Sequence, residues 1–168
     1  MNGMEIKHCR EKLLTLSYNK IYKQSADLFM NKRLHIFTDG GARGNPGPAG
    51  AGAVLFLLDK LGQKIIVAEI SRYVGKTTNN QAEYLALIFG LNKALELGYK
   101  QIDVYMDSEL IVKQMRGEYR VKDMGLKERH RVVLELVAKL SEVTFTHVRR
   151  EQNKQADALV NRAIDSRV

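Results

Sequence analysis

Three short apolar segments follow one another closely in the first half of the chain, and this spacing constrains the fold more than any other feature. They span residues 34–38, 51–58 and 64–74, and the connections between them are rich in Gly, Pro and Asp. Runs of this length, bounded by turn residues, are typical of β-strands. Because the connections are too short for a crossover helix, we predict an antiparallel meander, with a Gly- and Pro-rich loop ending at residue 50.

From residue 80 onward, helical and extended patterns alternate. We predict helices over residues 80–97, 108–115, 126–140 and 153–164, and strands over residues 101–106 and 143–149. Strands separated by helices usually pair in parallel. The sequence therefore predicts an α/β fold with a mixed sheet, antiparallel first and parallel later, flanked by helices.

An amphipathic pattern precedes the sheet. Apolar or small residues recur at intervals of three and four through residues 5–31, which predicts a helix. Such a helix can pack on the body or on a second copy, or it can serve as a nucleic-acid-binding arm. We expect residues 1–31 to form this extension and residues 32–168 to form one domain. The chain is too short for two domains that each have a sizeable hydrophobic core.

The charge balance favours a polyanionic partner. Lys and Arg number 27 against 19 Asp and Glu, which gives a net charge of +8. An excess of this size suits nucleic acid. Cys9 is the only cysteine, so no intrachain disulfide can form, and a reducing compartment is expected. No signal peptide or membrane span is evident, so we expect a soluble cytoplasmic protein with no membrane partner.

Four acidic residues, Asp39, Glu83, Asp107 and Asp157, lie where predicted elements meet polar breaks. Taken alone, each suits an ordinary role in a turn, a capping box or a helix start. Together they suggest a site, because sites in open α/β sheets are built at the carboxyl ends of strands. Clustered carboxylates repel unless cations neutralise them, and all-oxygen ligands favour Mg²⁺ or Mn²⁺. Since two such ions can hydrolyse a phosphodiester, nuclease is the leading interpretation.

Four sequence blocks carry a resemblance to a known family. They are TDGGARGNPGP at residues 38–48, TTNNQAE at residues 77–83, DS at residues 107–108 and REQNKQAD at residues 150–157. In this order they resemble the successive signatures of type 1 ribonuclease H, and the likeness covers residues 34–166. One block alone is weak evidence, whereas four in order are strong.

The resemblance implies a five-stranded mixed sheet and a metal-dependent endoribonuclease. Its expected substrate is the RNA strand of an RNA/DNA hybrid, and its expected products carry 5′-phosphate and 3′-hydroxyl ends. Two Mg²⁺ or Mn²⁺ ions are implied per site. Asp39 would bridge both ions and Asp157 would complete the site that activates water. Glu83 and Asp107 would hold the second ion near the leaving oxygen.

Substrate contacts are also implied by the resemblance. Asn45, Asn80 and Gln81 match positions that touch the minor groove, where amide groups can both donate and accept. Thr78 and Asn79 match a pocket for a phosphate of the DNA strand. The full implied set of substrate-binding residues is Gly41, Asn45, Thr78, Asn79, Asn80 and Gln81. Without the resemblance, loop and cap chemistry explains this polar run equally well.

The chain departs from the better-known bacterial pattern in several ways. The segment before Asp157 lacks the loop histidine of many relatives, and His147 lies within the last predicted strand. Arg149, Arg150 or Glu151 can take over part of that role, and Arg150 is preferred as a fixed cation near the scissile phosphate. The chain has no Trp and no Trp-rich basic handle, and Glu109 stands where relatives often place an amide. These features resemble compact archaeal and some bacterial members, which leaves cleavage of double-stranded RNA open.

Two alternatives remain at this point. The first is a catalytically inactive module of the same fold that binds hybrids or double-stranded RNA, although such a module has no use for unpaired acids facing phosphates. The second is another phosphotransferase on a similar sheet, such as a transposase-like or exonuclease enzyme. Those enzymes need extra domains or different acid spacing, for which this chain has little room.

Overall fold

The computed structural model describes residues 33–167, so the predicted helix over residues 5–31 lies outside the described residues. The strands of this part are β1 Leu34–Ala42, β2 Gly47–Leu58, β3 Lys64–Thr77, β4 Gln101–Met106 and β5 Glu142–His147. The helices are α1 Asn79–Glu96, α2 Glu109–Met115, α3 Met124–Val137 and α4 Lys154–Ser166, with a short 3₁₀ helix, Arg150–Gln152, before α4. None of the helices between residues 33 and 167 combines the length and apolar character of a membrane span.

The strands form one mixed sheet in the order β3-β2-β1-β4-β5. β1 pairs antiparallel with β2, and β2 pairs antiparallel with β3. β4 pairs parallel with β1, and β5 pairs parallel with β4. The predicted α/β class, with three antiparallel strands followed by two parallel strands, is confirmed.

The Gly-rich segment after Thr38 is strand rather than turn, which corrects the sequence prediction. β1 continues to Ala42 and β2 begins at Gly47, so residues 39–42 pair with residues 49–52. Asp39 therefore lies within a strand, directly opposite Gly52. The glycines are needed here because helices approach the sheet closely on both faces, as described below, and not because the chain turns.

Alternate residues of β2 face two different apolar layers, as the period of a strand requires. Ala53, Leu55 and Leu57 belong to the main core with α1, β1, β4 and α3. Val54 and Phe56 face the other way and pack with Leu159 of α4. The sheet thus has α1 on one face and α4 on the other, and both helices bring residues to the same end of the sheet.

Helix ends follow local capping chemistry. The Thr78 hydroxyl accepts a hydrogen bond from the Gln81 amide at the start of α1, and the Asp123 carboxylate accepts one from the Leu126 amide at the start of α3. Gly98 follows α1 with a φ of 85°, the left-handed conformation that glycine adopts without strain. This glycine directly follows the end predicted for the helix over residues 80–97.

Candidate active site

One pocket at the end of the sheet gathers all four predicted acids. Asp39, Glu83, Asp107 and Asp157 line it together with Arg150. The predicted contacts Gly41 and Asn79 line the same pocket. Residues that lie up to 118 positions apart in the sequence are thus brought to one concavity, since Asp39 comes from β1 and Asp157 from α4.

Gly40 explains how Glu83 comes near Asp39. A Cβ atom at position 40 would lie 2.2 Å from both the Ala82 carbonyl carbon and the Glu83 amide nitrogen. The backbone of α1 therefore rests directly on the backbone of β1, one residue from Asp39. Only glycine permits this approach, because backbone atoms cannot rotate out of the way.

Gly52 has the same role for Asp157 on the opposite face. A Cβ atom there would lie 2.4 Å from the Ala156 carbonyl oxygen and 3.0 Å from the Val160 amide nitrogen. Since Gly52 pairs with Asp39, the first turn of α4 lies against the sheet beside Asp39. Asp157 lies in that first turn, as the sequence predicted.

Asp107 reaches the pocket through the parallel pairing of β1 and β4. Thr38 is in register with Met106, so the residues that follow them, Asp39 within β1 and Asp107 just after β4, lie at the same level. The Asp107 Oδ1 atom accepts a hydrogen bond of 2.8 Å from the Asn153 side chain. Ser108, not Asp107, is the N-cap residue of α2, so the ordinary helix-cap explanation of Asp107 is wrong.

Two of the acids have strongly raised pKa values. Burial raises the pKa of Asp39 to about 7, and the negative charges of Asp107, Asp157 and Glu83 contribute, while the Gly40 amide opposes the shift. Burial is also the main cause that raises the pKa of Glu83 to about 7; the Ser108 hydroxyl opposes it and Asp107 adds to it. The protein therefore holds these carboxylates in a place where negative charge is unfavourable without a cation.

Glu83 supplies a second sign of a missing partner. Its Oε2 atom is buried and has no hydrogen-bond partner among the described residues. A capping-box role is also wrong, because the N-cap of α1 is Thr78 and not Asn80. A buried carboxylate oxygen aimed into an acidic pocket suits a proton or a metal ion.

Arg150 supplies the positive charge that touches the acids. Its Nη2 atom lies 2.9 Å from Asp157 Oδ1, and its side chain is 77% exposed whereas that of Asp157 is 33% exposed. Asn161 donates to the other oxygen of Asp157, at 3.1 Å. The exposed arm of Arg150 can therefore leave Asp157 for a phosphate without disturbing the core. His147 is exposed at the end of β5 and does not line the pocket.

The donor set of the pocket fits a hard divalent cation. All four acids offer oxygen, which Mg²⁺ and Mn²⁺ prefer. Among residues 33–167, no three His, Cys, Asp or Glu side chains converge on one point as oriented here. In this arrangement Asp157 is paired with Arg150, and Asp107 accepts a hydrogen bond from Asn153. Mg²⁺ keeps several waters and needs only one or two protein carboxylates, so the pocket meets its requirement.

A second depression lies beside the acidic pocket and collects the remaining predicted substrate contacts. It is lined by Asn45, Thr78, Asn80, Gln81, Asp123 and Leu126. Two asparagines join the loop after β1 to the start of α1: Asn79 Oδ1 accepts from the Ala42 amide at 2.7 Å, and Asn45 Oδ1 accepts from the Asn79 amide at 3.2 Å. The amide groups that the sequence singled out therefore lie along one continuous surface.

Arg129 and Gly125 of α3 lie against Gln81, which lines this depression, and the sequence alone gave them no role there. Arg129 Nε donates to Gln81 Oε1 at 3.3 Å. A Cβ atom at Gly125 would lie 2.5 Å from Gln81 Nε2, so the absence of a side chain lets Gln81 lie against α3. No local pattern signals these contacts, because they join segments 44 to 48 residues apart.

Comparisons with known proteins agree with this geometry. A family model described as reverse transcriptase-like matches residues 37–163. The chain is 42% identical over 133 residues to ribonuclease HI of Halobacterium salinarum, covering 79% of this chain and 65% of that protein. It is 34% identical to ribonuclease H of Lachnoclostridium phytofermentans, covering 79% of this chain and 92% of that protein. The chain thus spans just under two thirds of the halobacterial relative, and 35% of several mycobacterial ones.

A solved structure gives the same result at the level of the fold. The crystal structure of LC11-RNase H1 in complex with an RNA/DNA hybrid aligns with a TM-score of 0.72 and 46% identity, covering 80% of this chain and 98% of that chain. Three observations indicate the same family: the five-stranded sheet, the order of the sequence blocks, and the sequence identity to these relatives. The chain belongs to the type 1 ribonuclease H family.

Proposed function

We propose that this protein is an endoribonuclease that hydrolyses the RNA strand of RNA/DNA hybrids with the aid of two divalent cations, Mg²⁺ or Mn²⁺. The products would carry 5′-phosphate and 3′-hydroxyl ends. The observation that carries the proposal is the pocket lined by four carboxylates, which come from β1, α1, the residue after β4, and α4. Raised pKa values of about 7 at Asp39 and Glu83 support it, because such a cluster is unfavourable without bound cations.

The relatives support the choice of substrate. The names of the halobacterial and clostridial proteins are those of ribonucleases H, and LC11-RNase H1 was crystallised with an RNA/DNA hybrid. The net charge of +8 suits a nucleic acid. Recognition of a hybrid requires contacts to 2′-hydroxyl groups and the minor groove, for which amide side chains are well suited.

Each acid has a proposed part. Asp39 would hold both ions, Asp157 would complete one ion site, and Glu83 with Asp107 would complete the other. When bound, the ions would supply activated water near neutral pH and neutralise charge on the leaving oxygen. Asp39 and Glu83 would give up their protons as the ions bind, and Asp157 would exchange its contact with Arg150.

The other polar residues would position the hybrid. Asn45, Asn80 and Gln81 line the depression next to the acids, where the minor groove would lie. Asn79, which lines the acidic pocket, and Thr78 at the start of α1 would face a phosphate of the DNA strand. Arg150, released from Asp157, would contact the scissile phosphate.

A cleavage assay on three duplexes tests the proposal. RNA/DNA, DNA/DNA and RNA/RNA duplexes, each labelled on one strand at a time, are incubated with Mg²⁺ or Mn²⁺, and product ends are identified by phosphatase treatment and ligation. We expect cutting of RNA in the hybrid. Cutting of the DNA strand instead would overturn the assignment, and cutting of RNA/RNA would add double-stranded RNA as a substrate.

The variant Asp107→Asn separates cleavage from binding. We expect it to abolish cleavage while hybrid binding survives, because the side chain would act on the ions and not on the duplex. Asp59→Asn, in the turn between β2 and β3, is the matched control and should retain wild-type turnover. Binding without cleavage by the wild-type protein would instead favour the inactive binding module.

A further inference from the structure

Asn153 lies at the junction between the 3₁₀ helix and α4, yet its side chain does not cap α4. It is only 1% exposed and is one of three buried polar residues of the described chain. A buried amide at a helix start that does not cap the helix must find its partners elsewhere. Those partners belong to the strands that carry the acids.

The side-chain NH₂ group of Asn153 makes two hydrogen bonds. It donates to the Thr38 carbonyl oxygen at 3.0 Å and to Asp107 Oδ1 at 2.8 Å. Thr38 immediately precedes Asp39 in β1. The backbone carbonyl of Asn153 also accepts from the Asp157 amide at 3.1 Å. Asn153 is therefore hydrogen-bonded to Asp107 and to Asp157, and also to Thr38, the residue that precedes Asp39.

The orientation of this amide follows from its neighbours. A primary amide has two N–H donors, and here both face oxygen acceptors. The reversed orientation would place the amide oxygen against the Asp107 carboxylate and the Thr38 carbonyl, where it would be repelled. The Oδ1 atom consequently points away, and it is buried without a partner among residues 33–167.

We propose that Asn153 is a positioning residue that holds Asp107 in register with Asp39 and Asp157, so that the pocket can bind divalent cations. Donation to Oδ1 fixes the rotation of the Asp107 carboxylate and leaves its other oxygen for an ion. The bond to Thr38 ties the start of α4 to β1 at the same level. The inference deepens the proposed function and rests on it for the identity of the reaction. The link to cation binding can be measured separately.

The first test measures Mn²⁺ affinity without substrate, from free Mn²⁺ in electron paramagnetic resonance. We expect Asn153→Ala to weaken Mn²⁺ binding and lower kcat by about 10- to 100-fold each, the usual effect of losing a hydrogen bond to a metal ligand. The KM for hybrid should stay within about twofold, because Asn153 is buried away from the duplex. Unchanged Mn²⁺ affinity together with unchanged kcat would overturn the proposal.

A double-mutant cycle shows whether Asn153 acts through Asp107. In the Asp107→Asn background, we expect Asn153→Ala to have no further effect on Mn²⁺ affinity. A merely structural role predicts the same loss in both backgrounds, and that result would overturn the proposal. Asn92→Ala is the matched control, since its amide donates to the Ile88 carbonyl within α1, and Mn²⁺ affinity should not change.

Asn153→Asp keeps the shape of the side chain and covers the case in which the alanine variant does not fold. A carboxylate cannot donate to Thr38 or Asp107, so kcat should fall at least as far as in Asn153→Ala. Wild-type kcat in this variant would overturn the proposal. If the wild-type protein does not cut hybrids, the proposed function fails, whereas the Mn²⁺ titrations still decide the positioning role.

Discussion

Asp39 lies directly opposite Gly52 in the β1–β2 ladder, and Gly52 is where the backbone of α4 contacts the sheet. The distance between Asp39 and the first turn of α4, which carries Asp157, is therefore set by a glycine. A side chain at this position would meet the Ala156 carbonyl oxygen at 2.4 Å, and backbone atoms cannot rotate away.

The first prediction concerns this contact. We expect Gly52→Ala to displace α4, with a stability loss of about 1–3 kcal/mol from overpacking. We also expect kcat to fall by about 10- to 100-fold, because Asp157 moves relative to Asp39. Thermal unfolding and steady-state cleavage of a hybrid measure the two effects. Gly90→Ala is the control, because its added Cβ atom would meet only side-chain carbons, those nearest belonging to Ile36 and Thr38. The kcat of this variant should not change.

The second prediction concerns pH and stability without metal. The pKa values of Asp39 and Glu83 are raised to about 7 in the folded protein, from ordinary values of 3.8 and 4.5. Between those values the folded chain binds more protons than the unfolded chain, so stability falls as pH rises through this window. Below about pH 3 both groups are protonated in the folded and the unfolded state, so stability no longer changes with pH through them.

Asp39→Asn should therefore stabilise the metal-free protein at pH 8, by about 1–3 kcal/mol after allowing for solvent screening. The gain should shrink as the pH is lowered and vanish near pH 3. Denaturant unfolding in the presence of EDTA measures it, with Asp59→Asn as the control. A gain of equal size at pH 4 and pH 8 would show that ionisation of Asp39 is not its cause.

The third prediction concerns Arg150. We expect Arg150→Ala to lower kcat by about 10- to 100-fold, because a fixed cation near the reacting phosphate is lost. Mn²⁺ affinity without substrate should rise, since the variant frees Asp157 Oδ1 from its contact at 2.9 Å. A fall in kcat together with a rise in Mn²⁺ affinity would identify this role of Arg150. Arg162→Ala, which removes an exposed arginine of α4, should change neither quantity. A parallel loss in both quantities in Arg150→Ala would place Arg150 in a structural role.

The fourth prediction concerns residues 1–31. All four acids, and the elements that hold them, lie within residues 33–167. We expect a chain beginning at residue 32 to fold and to cleave a short hybrid with a kcat within about threefold of the full chain. Circular dichroism and a cleavage assay test this expectation. Failure to fold would show that the amino-terminal residues belong to the core.

The antiparallel and then parallel pairing of the strands could be predicted because it leaves a local trace in the sequence. The period of two in the strands, the short connections after β1 and β2, and the helices before β4 and β5 specify the mixed sheet. The four acids could be found because each lies in a recognisable sequence block. The residues that line the pocket include all four.

The errors arose where long-range packing overrides a local signal. Gly40 was interpreted as part of a loop, whereas it lets α1 lie directly on the sheet; Gly52, inside a predicted strand, lets α4 lie on the other face. Asn153 was given no role, although it lies inside a quoted block, because its partner Thr38 is 115 residues away. The sequence does not distinguish Arg129 from the other basic residues, and only the folding of α3 brings it beside Gln81. Such contacts exist only after folding, and no single-sequence pattern contains them.

Because the pKa values of Asp39 and Glu83 are raised to about 7, these groups are expected to be partly protonated at neutral pH. This protonation affects calorimetric measurements of cation binding. Cation uptake should expel those protons into the surrounding buffer. Calorimetric heats will then include the ionisation enthalpy of that buffer, and will differ at identical pH between two non-chelating buffers of different ionisation enthalpy. The difference counts the expelled protons directly, and it should shrink in alkaline solution, where both groups have already ionised.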